Sequence, residues 1–186
     1  MQDNVSQDST TLELLTRTGC LVPSHIVDGD VHMKWASGTM DPLADPLAVT
    51  ALARRVADAL PGPKPDLLVT WQGLPNLLLG FAVGVALGTP VVLLSDAEGL
   101  VTGSGSVEAG QRVALVGVTL GGREVNMARA FVGNSGGSLD LIASLVDIGE
   151  NPGELSLVAL QDHTFSETDC PACGDGAQAD AAVTEA

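Results

Sequence analysis

The chain has 186 residues, enough for one domain with a sizeable core and short tails, and too few for two typical domains. It carries 23 Asp and Glu against eight Lys and Arg, a formal charge of −15. Such a surface repels nucleic-acid phosphates and anionic lipid, so neither is an expected partner, and its two lysines, Lys34 and Lys64, are few for a polyphosphate ligand.

The polar, acidic stretch Met1–Thr11 lacks the positive segment and apolar run of a secretory signal, so a cytoplasmic location is expected. Leu12, Leu14 and Leu15 behind Thr10-Thr11 predict a short helix ending near Gly19. Ile26 to Trp35, with Gly29 between Asp28 and Asp30, predicts a small antiparallel hairpin. Leu47, Val49, Leu52, Val56 and Leu60 follow helical spacing behind Pro46, and Pro61-Gly62-Pro63 ends that helix.

A buried strand is predicted over Asp66 to Thr70, then a turn at Gly73-Leu74-Pro75, a helix from Asn76 to Leu87 and a strand from Pro90 to Ser95. The apolar run Leu74 to Leu94 is broken by Gly80, Gly84, Gly88 and Pro90, which suits a buried helix, turn and strand better than a membrane span. Glu98 to Gly110, with Gly99, Gly103 and Gly105, is read as a mobile loop. A strand over Arg112 to Val118, a helix from Gly121-Gly122 to about Gly133, and strands over Ser138 to Asp147 and Ser156 to Leu160 complete the series. Strands alternating with helices imply a largely parallel sheet covered on both faces. One domain is expected over residues 12–165, followed by a tail, 166–186, whose end beyond Cys173 reads as disordered.

Four stretches carry further information: Lys34-Trp35-Ala36-Ser37-Gly38 at the end of the hairpin, Leu67 to Pro75, Val91 to Asp96, and Val113 to Arg123. Together and in this order they resemble the type I phosphoribosyltransferases, nearest orotate phosphoribosyltransferase, over about residues 12–150. The resemblance implies an α/β fold with a parallel sheet flanked by helices and a small N-terminal hood. It also implies a dimer, with substrate held at the sheet edge by the hood, a pyrophosphate loop, a lysine-rich catalytic loop and a phosphate-cradling loop.

The residues depart from that pattern at the charged positions. Ser37 and Gly38 match the hood motif, but Ala36 stands where the family has lysine. Trp71, Gly73, Leu74 and Pro75 fit the pyrophosphate loop, with Gln72 at the lysine position, and residues 95–110 contain no Lys, Arg or His. Four aliphatics, Val113 to Val116, and the glycines Gly121-Gly122 fit the substrate-binding signature. Of its two acidic residues, which in the family contact the ribose hydroxyls, one is replaced by Gly117 and the other is deleted. Mg²⁺ therefore lacks its usual support here.

The ligand-binding candidates are Ser37, Trp71, Gln72, Gly73, Thr119, Gly121, Gly122 and Arg123. Backbone amides at a helix start, with one guanidinium, attract a phosphate or carboxylate, although the same glycines also suit a tight strand-to-helix turn. Trp71 with Gln72 reads as a pocket-lining platform at the end of a strand, against the plainer reading of a cap on the core. Asp96, Glu98 and His32 are candidates for acid–base work, against the plainer readings of a solvated acidic loop and a surface histidine.

Cys170-Pro171-Ala172-Cys173-Gly174 resembles a zinc knuckle, which turns two thiolates toward one metal. Structural zinc needs four ligands, so His163 is the candidate third, with Cys20, His25 or His32 as fourth if the tail folds back. The alternative is a pair of free or redox-active thiols; an odd total of three cysteines argues against a disulfide framework.

These readings converge on a phosphoribosyltransferase-like protein that has lost ordinary transfer from phosphoribosyl pyrophosphate and uses the pocket for another small ligand or reaction. Two alternatives stay open: a non-catalytic partner subunit of an intact paralogue, giving a homodimer or heterodimer, and a divergent but active transferase in which Arg123 and Asp96 replace the lost groups.

Overall fold

The computed structural model describes residues 9–28, 31–37, 45–147, 155–159, 164–170 and 173. Its larger sheet is built from β3 (Leu67–Trp71), β4 (Val91–Ala97), β5 (Leu100–Gly103), β6 (Arg112–Gly117), β7 (Ser138–Asp147) and β8 (Leu155–Ala159). Their spatial order is β5-β4-β3-β6-β7-β8, and every pairing is parallel except β4 with β5. A second sheet, the hood, joins β1 (Leu21–Asp28), β2 (Val31–Ser37) and β9 (Thr164–Ser166) in antiparallel fashion.

Side-chain alternation along β3 explains why a five-residue strand is buried throughout. Leu68 points into one core with Leu15 of α1 (Ser9–Arg17), Leu52 and Val56 of α2 (Pro46–Ala59), and Leu79 and Val83 of α3 (Leu74–Leu87). Leu67, Val69 and Trp71 point the other way, into a core with Val125, Ala128 and Val132 of α4 (Gly122–Asn134). A parallel sheet covered on both faces needs continuous apolar strands, and that is what the sequence supplies. No helix among the described residues is long and apolar enough to cross a membrane.

Local signals place the helix ends. The Asp45 carboxylate accepts a hydrogen bond from the Ala48 amide at 2.9 Å and caps α2, with Pro46 in its first turn. α3 starts at Leu74, ahead of the expected Asn76, because Pro75 fits the first turn, where no amide donor is needed. Gly80 and Gly84 let α3 lie close to the sheet: an added Cβ would sit 2.7 Å from Thr70 Cγ2 at the first and 2.9 Å from the Thr89 carbonyl oxygen at the second.

One expectation is corrected. Residues 98–110, read as a mobile loop, instead contain β5, which folds back on β4 through the two-residue turn Glu98-Gly99 with φ of +54° and +87°. The Asp96 side chain accepts from the Gly99 amide at 2.7 Å, the Ser95 and Thr102 hydroxyls meet at 2.8 Å, and Ser104 Oγ accepts from the Leu93 amide at 2.9 Å. β9 pairs with β2, completing the hood, and reaches one residue into the expected tail. Its end beyond Cys173, expected to be disordered, lies outside the described residues.

Candidate functional site

β3 leads into α3 on one face of the sheet and β6 into α4 on the other, so the chain diverges where the C-terminal ends of these adjacent strands meet. Open parallel sheets bind ligands at such a switch point. Most of the ligand-binding candidates do gather there: Trp71, Gln72 and Gly73 follow β3, and Thr119, Gly121, Gly122 and Arg123 follow β6. Ser37 ends β2, where its backbone pairs with Leu21. Trp71 itself is only 6% exposed and belongs to the α4-side core, while its indole N–H finds no acceptor among the described residues. Gln72 is exposed and anchored through its amide, which donates to the Leu94 carbonyl at 2.7 Å.

The polar groups of this crevice are largely satisfied by one another. The Gly121 amide at the head of α4, expected to face an anion, donates to Glu124 Oε2 at 2.8 Å. The Arg123 guanidinium donates to Asp96 Oδ2 at 2.7 Å, bridging α4 to the end of β4 over the intervening β3. Asn76 Oδ1 accepts from the Val118 amide at 2.9 Å, tying the first turn of α3 to the exit of β6, and Thr70 Oγ1 donates to the Asn76 carbonyl at 3.1 Å. Leu120 folds over Gly117, where an added Cβ would come within 2.6 Å of Leu120 Cδ2. A carboxylate at Gly117, as the resemblance would require, has no room beside Leu120 in this arrangement.

Asn76, Leu120 and Glu124 were not among the sequence candidates. Glu124 had a readable signal, because a Glu three residues after a helix-start position forms one half of a capping box. Asn76 and Leu120 had none, since their partners are set by how two strand exits meet.

A second cluster lies in the hood. His25, His32, Cys170 and Cys173 bring one ligand atom each within 4.8 Å of one another, with all but Cys173 buried. His25 Nε2 lies 3.2 Å from His32 Nδ1, 3.6 Å from Cys170 Sγ and 3.5 Å from Cys173 Sγ; Cys173 Sγ lies 3.2 Å from His32 Nδ1. This is a donor set that could hold a metal. His32, read as a surface histidine, is instead a buried member of this cluster. His163, expected as third ligand, lies outside the described residues; the histidines that lie beside the cysteines among the described residues are His25 and His32. Cys20 is elsewhere in the core; burial pushes its thiol pKa up, partly opposed by a 3.2 Å hydrogen bond from Thr18 Oγ1.

No family model matches the sequence, and no curated protein matches it by sequence. Solved structures do. The chain is 16% identical to Leishmania donovani UMP synthase, with a TM-score of 0.63 over 84% of this chain, though it spans only 37% of that protein. It is 16% identical to the orotate phosphoribosyltransferase of Aeropyrum pernix, with a TM-score of 0.62 over 81% of this chain and 93% of that one. Against adenine phosphoribosyltransferase from Thermoanaerobacter pseudethanolicus the identity is 21% and the TM-score 0.57, over 80% of this chain and 98% of that one. The chain therefore has a type I phosphoribosyltransferase-like fold, as its sequence motifs implied. Identities this low speak to the fold alone, because one fold hosts many activities.

Proposed function

We propose that this is a phosphoribosyltransferase-like protein that no longer carries out ordinary transfer from phosphoribosyl pyrophosphate, and whose crevice takes another, less highly charged small ligand. The observation that carries this reading is the internal pairing of the crevice. Gly121 and Arg123, the groups best suited to an anion, are engaged by Glu124 and Asp96. Phosphoryl and pyrophosphoryl chemistry needs cations and a metal ion to neutralise developing charge. Here Ala36, Gln72 and Gly117 occupy the matched charged positions, and Mg²⁺ has no carboxylate pair at Gly117 to support it. Any residual transferase activity would have to use Arg123 and Asp96, each at the expense of the other.

Calorimetric titration of phosphoribosyl pyrophosphate with Mg²⁺ tests the proposal. No heat of binding from the folded protein is the expected result. Micromolar binding would overturn it and return the chain to the active transferases.

A second reading, a protein that associates with a further copy of itself, is favoured by α3. This helix carries no charged residue along 14 positions, and it exposes Leu74, Phe81 and Val85 at 51%, 62% and 66%. Leu47 of α2, 81% exposed, adds to the apolar surface, and a 300 Å³ groove between the helices is lined by Pro46, Val49, Leu78, Phe81 and Val85. In a chain with so many acidic residues, an uncharged face of this kind is suited to an interface. Sedimentation velocity separates the outcomes: a dimer supports a self-complementary face, and a monomer rules it out. Zinc held by the Cys170–Cys173 pair is part of the same proposal.

A further inference from the structure

We infer that His25, His32, Cys170 and Cys173 form a closed, tetrahedral zinc centre that fastens the end of the chain to the hood hairpin. The inference is independent of what the crevice binds.

The backbone explains how four distant residues converge. Val27 pairs with His32 across β1 and β2, so His25, two residues before Val27, belongs to the same face of the hairpin as His32. The pairing register shifts between Pro23 and Ile26, and such a bulge re-aims the side chain beside it. The imidazole centroids lie 5.4 Å apart. On the other edge of β2, Phe165 of β9 pairs with His32, which brings the chain end alongside. A single 3₁₀ turn, Glu167–Asp169, then leads to Cys170; Ser166 Oγ at its head donates to Asp169 Oδ2 at 2.7 Å.

The distances match a coordination sphere. Zinc bonds of about 2.3 Å to sulfur and about 2.0–2.1 Å to nitrogen give tetrahedral edges of about 3.3 Å between nitrogens and about 3.6 Å between nitrogen and sulfur. Four of the six donor–donor distances fit these edges, N···N at 3.2 Å and three N···S at 3.2, 3.5 and 3.6 Å, and all six lie within 4.8 Å. Each of the four residues offers one donor atom to a cluster no more than 4.8 Å across.

The donor chemistry selects the ion. Two sulfurs and two imidazole nitrogens are soft to borderline ligands, which favour zinc over the oxygen-seeking Mg²⁺ and Ca²⁺. Two thiolates in one place need a compensating dication, the more so because Cys170 is only 6% exposed and Cys173 is half-buried. Four protein ligands leave no open position for water or substrate, so the centre is structural and not catalytic. Its mechanical consequence is specific, because β9 has three residues and, among the described strands, pairs only with β2. A metal crosslink between β1, β2 and the segment after β9 holds such a short edge strand in register.

The test uses the untagged full-length protein, purified with thiols reduced. Elemental analysis is expected to find one zinc per chain, and none in a Cys170→Ser/Cys173→Ser variant. Because that variant could misfold, cobalt(II) is also added to chelator-treated wild-type protein. Intense visible d–d bands with a thiolate charge-transfer band are expected, saturating at one equivalent. Chelation should in turn speed amide exchange in residues 164–166 while leaving β3 and β6 protected. The inference is overturned by folded, reduced wild-type protein without stoichiometric zinc that also gives no tetrahedral cobalt spectrum. Full zinc occupancy in the double serine variant would overturn it equally.

Discussion

Asn76 Oδ1 accepts the Val118 amide hydrogen bond at 2.9 Å, and through it the first turn of α3 is fastened to the exit of β6 across the mouth of the crevice. The Asn76 carbonyl is in turn held by Thr70 at the end of β3, so one residue joins two adjacent strand ends. Asn76→Ala leaves a part-buried amide without its acceptor, and a loss of about 1–3 kcal/mol is expected. Asn76→Asp, which keeps an acceptor in place, should lose less. Urea midpoints at unchanged m-value check both.

Leu120 and Gly117 make a second test. Gly117→Ala forces a methyl group against Leu120, and over-packing of this kind costs about 1–3 kcal/mol. Leu120→Ala is destabilising in its own right because Leu120 is 3% exposed. In the double variant the alanine at 117 has room, so the two costs should not add; a coupling of about 0.5–3 kcal/mol is expected from a double-mutant cycle. Simple additivity would mean that Leu120 does not block position 117.

The Arg123–Asp96 pair should matter little for stability. Arg123 is 75% exposed along its side chain, and exposed pairs contribute about 0–1 kcal/mol. Arg123→Ala is therefore expected to leave the melting temperature nearly unchanged. Any anionic ligand that the protein does bind in the crevice should weaken in this variant, which a titration would show.

Asp45 gives a pH dependence with a definite sign. The Ala48 amide, and then Arg17, hold its carboxyl pKa below the usual value, with desolvation partly opposing them. A depressed folded-state pKa means that the contribution is complete above the unfolded carboxylate value, about 3.9, and is lost as pH falls through the lower folded value. Asp45→Ala should thus melt below the parent at neutral pH. The gap should narrow on acidification below pH 4, read by thermal melts across the range.

Phe81→Asp places a charge in the middle of the exposed α3 face. If that face joins two copies, the variant sediments as a monomer under conditions where the parent is a dimer, with an unchanged far-ultraviolet circular dichroism spectrum. Persistence of the dimer would locate the interface elsewhere.

Much of this protein was legible without its tertiary structure. Hydrophobic periodicity gave the order of strands and helices, because apolar runs such as Leu67–Trp71 can be buried on both faces only inside a covered parallel sheet. Pro46 and Gly88 marked helix ends through backbone restrictions that act within one turn. The four motifs pointed to the fold, and the missing lysines and acidic residues pointed away from ordinary transfer.

What the sequence could not decide were relationships between distant segments. Glycine content made residues 98–110 look mobile, yet the Glu98-Gly99 turn pairs Leu100–Gly103 with β4, a result that depends on β4 being a free sheet edge. The Cys170–Cys173 spacing announced half of a metal site, and His25 and His32 were visible only as options among several. The pairing of three residues, Thr164–Ser166, with β2 is what brings the cysteines beside these two histidines. Local chemistry is written in short stretches of chain, whereas the meeting of residues about 140 apart is fixed only when the strands between them have paired.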